Sequence, residues 1–366
     1  MEKKTIVLIL VLILIAGAIV YLQQFSPNKS YSGSTVTPGN RTAINAQKAL
    51  KYEQAKEIAL PSGFVNVDNI TIGSLVGKKV ILVDFWTYSC INCERTIPYL
   101  NMWYTKYHDQ GLEIVGVHSP EFQFEHNIDN VRQAVKKFGI QYPVVLDNDF
   151  ATWGSYKNQY WPEDYLIDID GFIVDRHIGE GDYDATEKKI QDLLRERADA
   201  LGISINITNA TGIPSNAVGV DFSKVNSPET YFGSAKNGNL GNGQPFRNGV
   251  QNLTWPGLVL PNTLYLDGTW NFTDQYAVNT VNGSIIFQYD AKNVYLVASA
   301  DKDIPVTVSL DGTPISESGG ADVIDSVVTV KDEQLYTLVE GKDYGVHTLE
   351  LDSHGPGLRV YTFTFG

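Results

Sequence analysis

The chain changes its rule of construction near residue 202. Before that point, apolar runs of strand length alternate with stretches of helical spacing. Residues 80–87, VILVDFWT, are apolar but for one aspartate and one threonine, the composition of a strand buried on both faces. LEIVGVHS (112–119) and PVVLD (143–147) repeat the pattern. Between them, Ile91, Ile97, Leu100, Tyr104 and Tyr107 recur at helical spacing over 91–109, and NVRQAVKKFGI (130–140) reads as an amphipathic helix. EDYLIDIDGFIVDRHIG (163–179) predicts a hairpin turning at Asp170-Gly171. Ile190, Leu193, Leu194 and Leu201 place a helix over 185–202, stopped by Gly202. Parallel crossovers followed by a hairpin give an α/β domain, one mixed sheet with helices on both faces. Beyond 202, helical spacing vanishes. Alternating runs such as SIIFQYD (284–290), NVYLVAS (293–299), LYTLVEG (335–341), HTLELD (347–352) and LRVYTFTF (358–365) are separated by turn residues, the pattern of an antiparallel β-sandwich. The expected domains are therefore 58–202 and 203–366.

A second constraint lies at the N-terminus. TIVLILVLILIAGAIVYL (5–22) carries no charge, and at ~1.5 Å per residue it is long enough to cross a hydrocarbon core of ~30 Å. Lys3 and Lys4 precede it and no basic cluster follows, which keeps the N-terminus cytoplasmic and sends the rest outside. The expectation is a single-pass membrane anchor at 1–22 with both domains extracytoplasmic. Ala16-Gly17-Ala18 also resembles a signal-peptide cleavage site, so secretion after cleavage is the alternative. Residues 23–57, rich in Ser, Thr, Asn, Pro and Gly at their start, read as a flexible linker, with a short amphipathic piece around 46–60. A net charge of −14 argues against nucleic acid and against anionic headgroups as partners, since both need a basic surface.

The chain has two cysteines, Cys90 and Cys93, in TYSCINCERTIP. Cys90 falls between a buried strand and a helix, so it sits at a helix N-terminus, where unpaired N–H groups and the helix dipole favour an anion. Such positions lower a thiol pKa from ~8.5 to ~3.5–7.5, which suits an attacking thiolate. Cys93, one turn on, suits the resolving role. A structural zinc site would need four ligands; His108, His118 and His126 are near in sequence but not at ligand spacing, and no metal or cofactor is expected. A structural clip across so short a loop gains little. Outside the cytosol the pair escapes the reducing thiol pool. Ile91 and Asn92 lie where N–H groups face the Cys90 sulfur and are expected to tune its redox potential.

VDFWTYSCINCERTIP together with GVHSPEF (116–122) resembles the thioredoxin superfamily, in its TlpA-like branch. It is most similar to the soluble part of the DipZ-type family, which joins a thioredoxin-like domain to a C-terminal β-domain. The resemblance implies a protein thiol–disulfide oxidoreductase. It implies Asp84 as the buried proton acceptor for Cys93, Glu121 as an acid facing the active site, Pro98 as the helix-kinking proline, and Trp161-Pro162 as the cis-proline that meets substrate, with Trp86 beside it. A buried carboxyl has a raised pKa and exchanges protons near neutrality, in agreement with that role for Asp84. The implied partners are disulfide-containing client proteins and, because the chain carries one apolar span rather than a multi-span unit, a separate CcdA-like membrane electron donor. The implied direction is reductive.

SPETYFG (227–233), LYLDGTWNF (264–272) and VYTFTFG (360–366) are similar to the C-terminal domain of the same family, a carbohydrate-binding-module-like jelly roll. Trp255, Tyr265, Trp270 and Tyr276 are candidates for a sugar-stacking platform, Trp255 and Trp270 above all, with cell-wall glycan as the ligand. Packing aromatics are the plainer reading of the same residues. The competing function is a glycan- or protein-binding adaptor whose thioredoxin-like domain does no chemistry.

Overall fold

The computed structural model describes residues 38–366; the apolar segment 5–22 and the first part of the expected linker, 23–37, lie outside them. Among the described residues no helix is long and apolar enough to cross a membrane.

The first domain runs α1 (Pro38–Ala49), β1 (Gly63–Val65), α2 (Ile72–Leu75), β2 (Val80–Trp86), α3 (Ile91–Tyr107), β3 (Leu112–His118), α4 (Ile128–Lys137), β4 (Val144–Leu146), α5 (Ala151–Tyr156), β5 (Glu163–Ile167), β6 (Ile173–Ile178) and α6 (Tyr183–Leu201). The strands form one sheet in the order β1-β4-β3-β2-β5-β6. β2, β3 and β4 are parallel, while β1, β5 and β6 run antiparallel to their neighbours. The centre of the sheet is apolar because both of its faces are covered. Val80, Leu82 and Trp86 of β2 pack under α3, α4 and α6 through Ile97, Leu100, Val131, Val135, Ile190 and Leu194. Ile81, Val83 and Phe85 pack on the opposite face with Ile72 and Tyr156. Asp84 therefore shares the face of Leu82 and Trp86, beneath the helix that carries the cysteines.

The flexible linker expected over 23–57 needs correction at its C-terminal end. Helix α1 occupies 38–49 and is fastened to the domain by charge. The Lys48 ammonium contacts Asp168 at 2.6 Å, Asp170 at 3.0 Å and Glu196, and Arg41 contacts Asp170 at 2.6 Å. Residues 53–55 then pair along the β5–β6 turn, through Ala55 N–H to Gly171 O and Ile173 N–H to Glu53 O, each at 2.9 Å. Composition alone hid these attachments, because their partners lie more than a hundred residues away.

The second domain is all-β, and its named strands pair antiparallel. Two pairs of expected strands are each continuous, as Gly283–Ser299 and Gln334–Ser353. Register shifts at Ala291/Asn293 and Val294/Tyr295 bend this ladder, so the first half of 283–299 pairs with 264–267 and the second half with 359–365. Trp270, Phe272, Phe287, Tyr289 and Phe363 fill the interior. The two domains share apolar surface: Tyr295, Val297, Leu335 and Tyr361 of the β-domain belong to the same buried cluster as α3 and α4.

Candidate active site

Cys90 is the N-cap of α3, in an extended conformation with φ −89° and ψ 116°, and its side chain caps nothing. The turn reaching it from β2 is closed by the Cys90 N–H on Thr87 O at 3.3 Å. The first intrahelical donor is Glu94 N–H, on Cys90 O at 3.0 Å. The N–H groups of Ile91, Asn92 and Cys93 thus precede the helical ladder, at the helix end that Cys90 occupies. Both cysteines are free thiols, Cys90 half-buried and Cys93 buried. Burial, then the adjoining Cys90 sulfur and the Asp84 carboxyl, push the Cys93 thiol well above its usual pKa. Pro98 lies inside α3. Asn92 accepts a hydrogen bond from Arg95 Nη2 at 2.8 Å, and Arg95 is itself held on Glu180 by Nε and Nη2.

The Trp161–Pro162 peptide is cis, and it brings the Trp161 carbonyl to 3.8 Å from Cys90 Sγ. The Trp161 ring is fixed by Nε1 donating to Ser119 O at 3.0 Å and by the Trp153 ring at 4.5 Å. Tyr160, beside it, is exposed. A half-buried sulfur therefore sits beside the backbone carbonyl of Trp161. Trp86 does not belong to this surface. It is fully buried, edge-on to His118 at 5.1 Å, and a Cβ at Gly116 would come within 2.9 Å of its Nε1. The expectation that Trp86 meets substrate is corrected to packing against β3.

Beneath Cys93 the structure places Asp84 with a partner that sequence reasoning missed. Asp84 of β2 is in register with Asp164 of β5, and both are buried. Among the described residues, neither oxygen of Asp84, nor Asp164 Oδ1, has a donor when both acids are ionised. Two desolvated carboxyls side by side cannot both carry charge, and sharing a proton supplies the missing donor. Burial, followed by the charge and hydrogen bond of Asp164, raises Asp84 well above the carboxylate range. Burial raises Asp164 to about 7, and the hydrogen bond from Asp84 opposes that rise. Asp84 thus holds the shared proton and Asp164 accepts it. The buried Tyr142 hydroxyl has no partner, and burial, then Asp84, Asp164 and Cys93, push its pKa well up. His118, fully buried, is lowered to about 3 by desolvation and stays neutral.

Glu121 is bound from the second domain. Its Oε1 accepts from Tyr231 Oη at 2.8 Å and Lys236 Nζ at 3.0 Å, both of the β-domain. Asp164 is thus a second acid beside Asp84, and the Glu121 carboxylate is engaged by the β-domain. The buried acid of that loop is Glu125, which holds the turn before Cys90 through Thr87 and Ser89. Asp164 left only a weak signal in the sequence, an acid next to Glu163 at the start of a hairpin strand that is otherwise apolar, whereas Asp84 stands alone in its strand. Glu125 and Tyr142 left none.

The carboxylates of Asp168, Asp170 and Glu196 lie close enough together to hold a cation, but the Lys48 ammonium fills that place. By the β2–β5 register this cluster is at the pole opposite Cys90. The proposed glycan platform is corrected as well. Trp270 is fully buried with Nε1 on Asp267 O at 2.9 Å, and Tyr265 is buried. Tyr276 packs on Tyr361 at 5.2 Å. Trp255, with Nε1 on Leu258 O at 3.3 Å, and Tyr276 are half-buried.

Comparison with known proteins places these features in context. Residues 52–176 match the AhpC/TSA family and residues 227–366 the family described as thioredoxin like C-terminal domain. The chain is 37% identical to protein DipZ of Mycobacterium tuberculosis over 298 residues, which are 81% of this chain and 40% of that protein. It therefore spans well under half the length of that relative. It is 32% identical to the thiol-disulfide oxidoreductase ResA of Bacillus cereus over 132 residues, 34% of this chain and 73% of the relative. The solution structure of a thioredoxin-like protein in the oxidised form is 26% identical, covering 40% of this chain and 97% of that one with a TM-score of 0.37.

Proposed function

The chain belongs to the thioredoxin-like family of thiol–disulfide oxidoreductases, and from that premise we propose that it reduces disulfides of client proteins outside the cytoplasm, with Cys90 as nucleophile and Cys93 as resolving thiol. The observation that carries the reading is the free dithiol at the start of α3, its inner member buried and within the electrostatic reach of Asp84, which stands in register with Asp164.

In the proposed cycle the Cys90 thiolate attacks one sulfur of a client disulfide. A mixed disulfide forms and the other client sulfur leaves as thiolate. The Trp161 carbonyl and the cis Pro162 beside it offer backbone to the client chain at this stage. Cys93 must then lose its proton. Asp84 already holds one, so the proton moves as a relay: Cys93 gives it to Asp84 as Asp84 passes its own to Asp164, whose pKa of about 7 matches the task. The Cys93 thiolate attacks Cys90 Sγ, the Cys90–Cys93 disulfide forms, and the second client sulfur is released. Two electrons pass to the client, and the departing thiolates take up two protons.

Anchoring by residues 5–22, with the N-terminus cytoplasmic and both domains outside, fits this chemistry. A CcdA-like membrane protein is the proposed donor that returns the pair to the dithiol. The direct assay is insulin-disulfide reduction: Cys90→Ser is expected to abolish the rate, and full activity in that variant would refute the assignment.

A further inference from the structure

Glu125 is fully buried in the short turn Gln123–His126 that follows β3. Its two oxygens serve two different segments. Oε1 accepts from Thr87 Oγ1 at 2.5 Å, Ser89 Oγ at 2.7 Å and the Ser89 N–H at 3.3 Å; these residues form the turn that ends at Cys90. Oε2 accepts the N–H groups of Glu121 at 2.6 Å and Phe122 at 2.9 Å. A carboxylate with donors on both oxygens fixes the separation of the two segments, since moving either one breaks short charge-assisted hydrogen bonds in a dry site.

The segment on Oε2 is the seat of the β-domain. Glu121 takes hydrogen bonds from Tyr231 and Lys236. The Gln123 N–H donates to Gln275 Oε1 at 2.9 Å. The Tyr361 ring packs edge-on against Phe122 at 5.1 Å and Phe124 at 4.9 Å. The same loop supplies the Ser119 carbonyl that holds the Trp161 ring beside Cys90. One loop is thus clamped on one side to the β-domain and on the other to both walls of the sulfur site.

We infer that Glu125 is a positioning residue through which the seating of the β-domain, at Tyr231 above all, sets the dithiol–disulfide equilibrium of Cys90 and Cys93. Oxidation of the pair removes two electrons and two protons and draws the two sulfurs into a bond. The 87–90 turn must accommodate that approach, and Glu125 determines how far the turn can yield. The inference rests on the redox reading of the cysteines and extends it to the second domain.

The test is a titration of the full chain against reduced and oxidised glutathione, read by the mass shift on thiol alkylation, for the parent, Glu125→Gln, Tyr231→Phe and the double variant. Each single change is expected to alter the equilibrium constant at least threefold. The double variant is expected to move it no further than the larger single effect, because both act through one linkage. An unchanged constant in Tyr231→Phe, or effects that multiply, would overturn the inference. A parent protein with no reversible couple would instead overturn the redox reading, so the two failures are told apart. Ser89→Ala, which removes one donor to Oε1, carries the same test should Glu125→Gln fail to fold.

Discussion

Asp84 and Asp164 stand opposite each other on neighbouring strands, both buried, directly under the helix that carries Cys93. Two carboxyls in that setting hold one proton between them. The arrangement answers a difficulty that a lone buried acid leaves open. An acid raised well above the carboxylate range that already holds the shared proton has no room for the Cys93 proton. The second acid, raised only to about 7, supplies it.

Asp164→Asn therefore has a pH signature. The folded-state pKa lies above the unfolded value of 3.8, so between about 4 and about 7 the native state binds more protons than the unfolded chain. The stability that this acid contributes is present below pH ~4 and is lost as pH rises through ~7. Relative to the parent, Asp164→Asn is expected to gain on the order of 1–3 kcal/mol across that window, measured by urea unfolding at several pH values. It is also expected to slow disulfide reduction roughly 10- to 100-fold at neutral pH. A constant stability difference across the window would remove the shared-proton account.

Cys93→Ser separates attack from resolution. Cys90 retains its place beside the Trp161 carbonyl, so the variant is expected to accumulate a mixed disulfide with a model peptide, seen as an added mass that dithiothreitol removes. No adduct under conditions where the parent turns over would mean that Cys90 is not the attacking sulfur.

The dipeptide between the cysteines should tune the potential. Asn92 is tied to Arg95, and through it to Glu180, in the first turn of the helix that Cys90 caps. Replacing Ile91 by Gly and Asn92 by Pro removes one first-turn N–H and the Asn92–Arg95 hydrogen bond. The potential is expected to shift by at least ~30 mV, a tenfold change for a two-electron couple. An unchanged value would show that the dipeptide is not the tuning element.

Arg95 and Glu180 form a buried ion pair, with side chains 3% and 7% exposed. Arg95→Ala leaves Glu180 unpaired near the domain junction, and breaking such a pair costs about 3–5 kcal/mol. Guanidinium unfolding is expected to show a loss of that size. A change below about 1 kcal/mol would place the pair in the weak class of exposed ion pairs.

The sheet and the cysteine helix were legible because they follow local rules: VILVDFWT is apolar on both faces, and the residues from Ile91 onward keep helical spacing. The pairing of Asp84 with Asp164 was not, because it depends on the register between strands that are about eighty residues apart in the chain. Trp86 and Trp270 show the opposite failing. Their residue type suits a binding surface, and only the fold reveals that each is enclosed. Glu121 and Glu125 lie four residues apart in one loop, and nothing local says which reaches across to the β-domain and which turns inward. Lys48 belongs to the same class, a cation whose three carboxylate partners are remote in the sequence.

The central claim is that Cys90 and Cys93 form one reversible redox couple, and titration of the pair against glutathione buffers tests it most directly. The account predicts a single two-electron transition between dithiol and disulfide, at a potential within the ~−270 to ~−120 mV spanned by thioredoxin-type proteins, and its loss in Cys90→Ser. A pair that stays reduced, or stays oxidised, across the whole accessible range of buffers would contradict it.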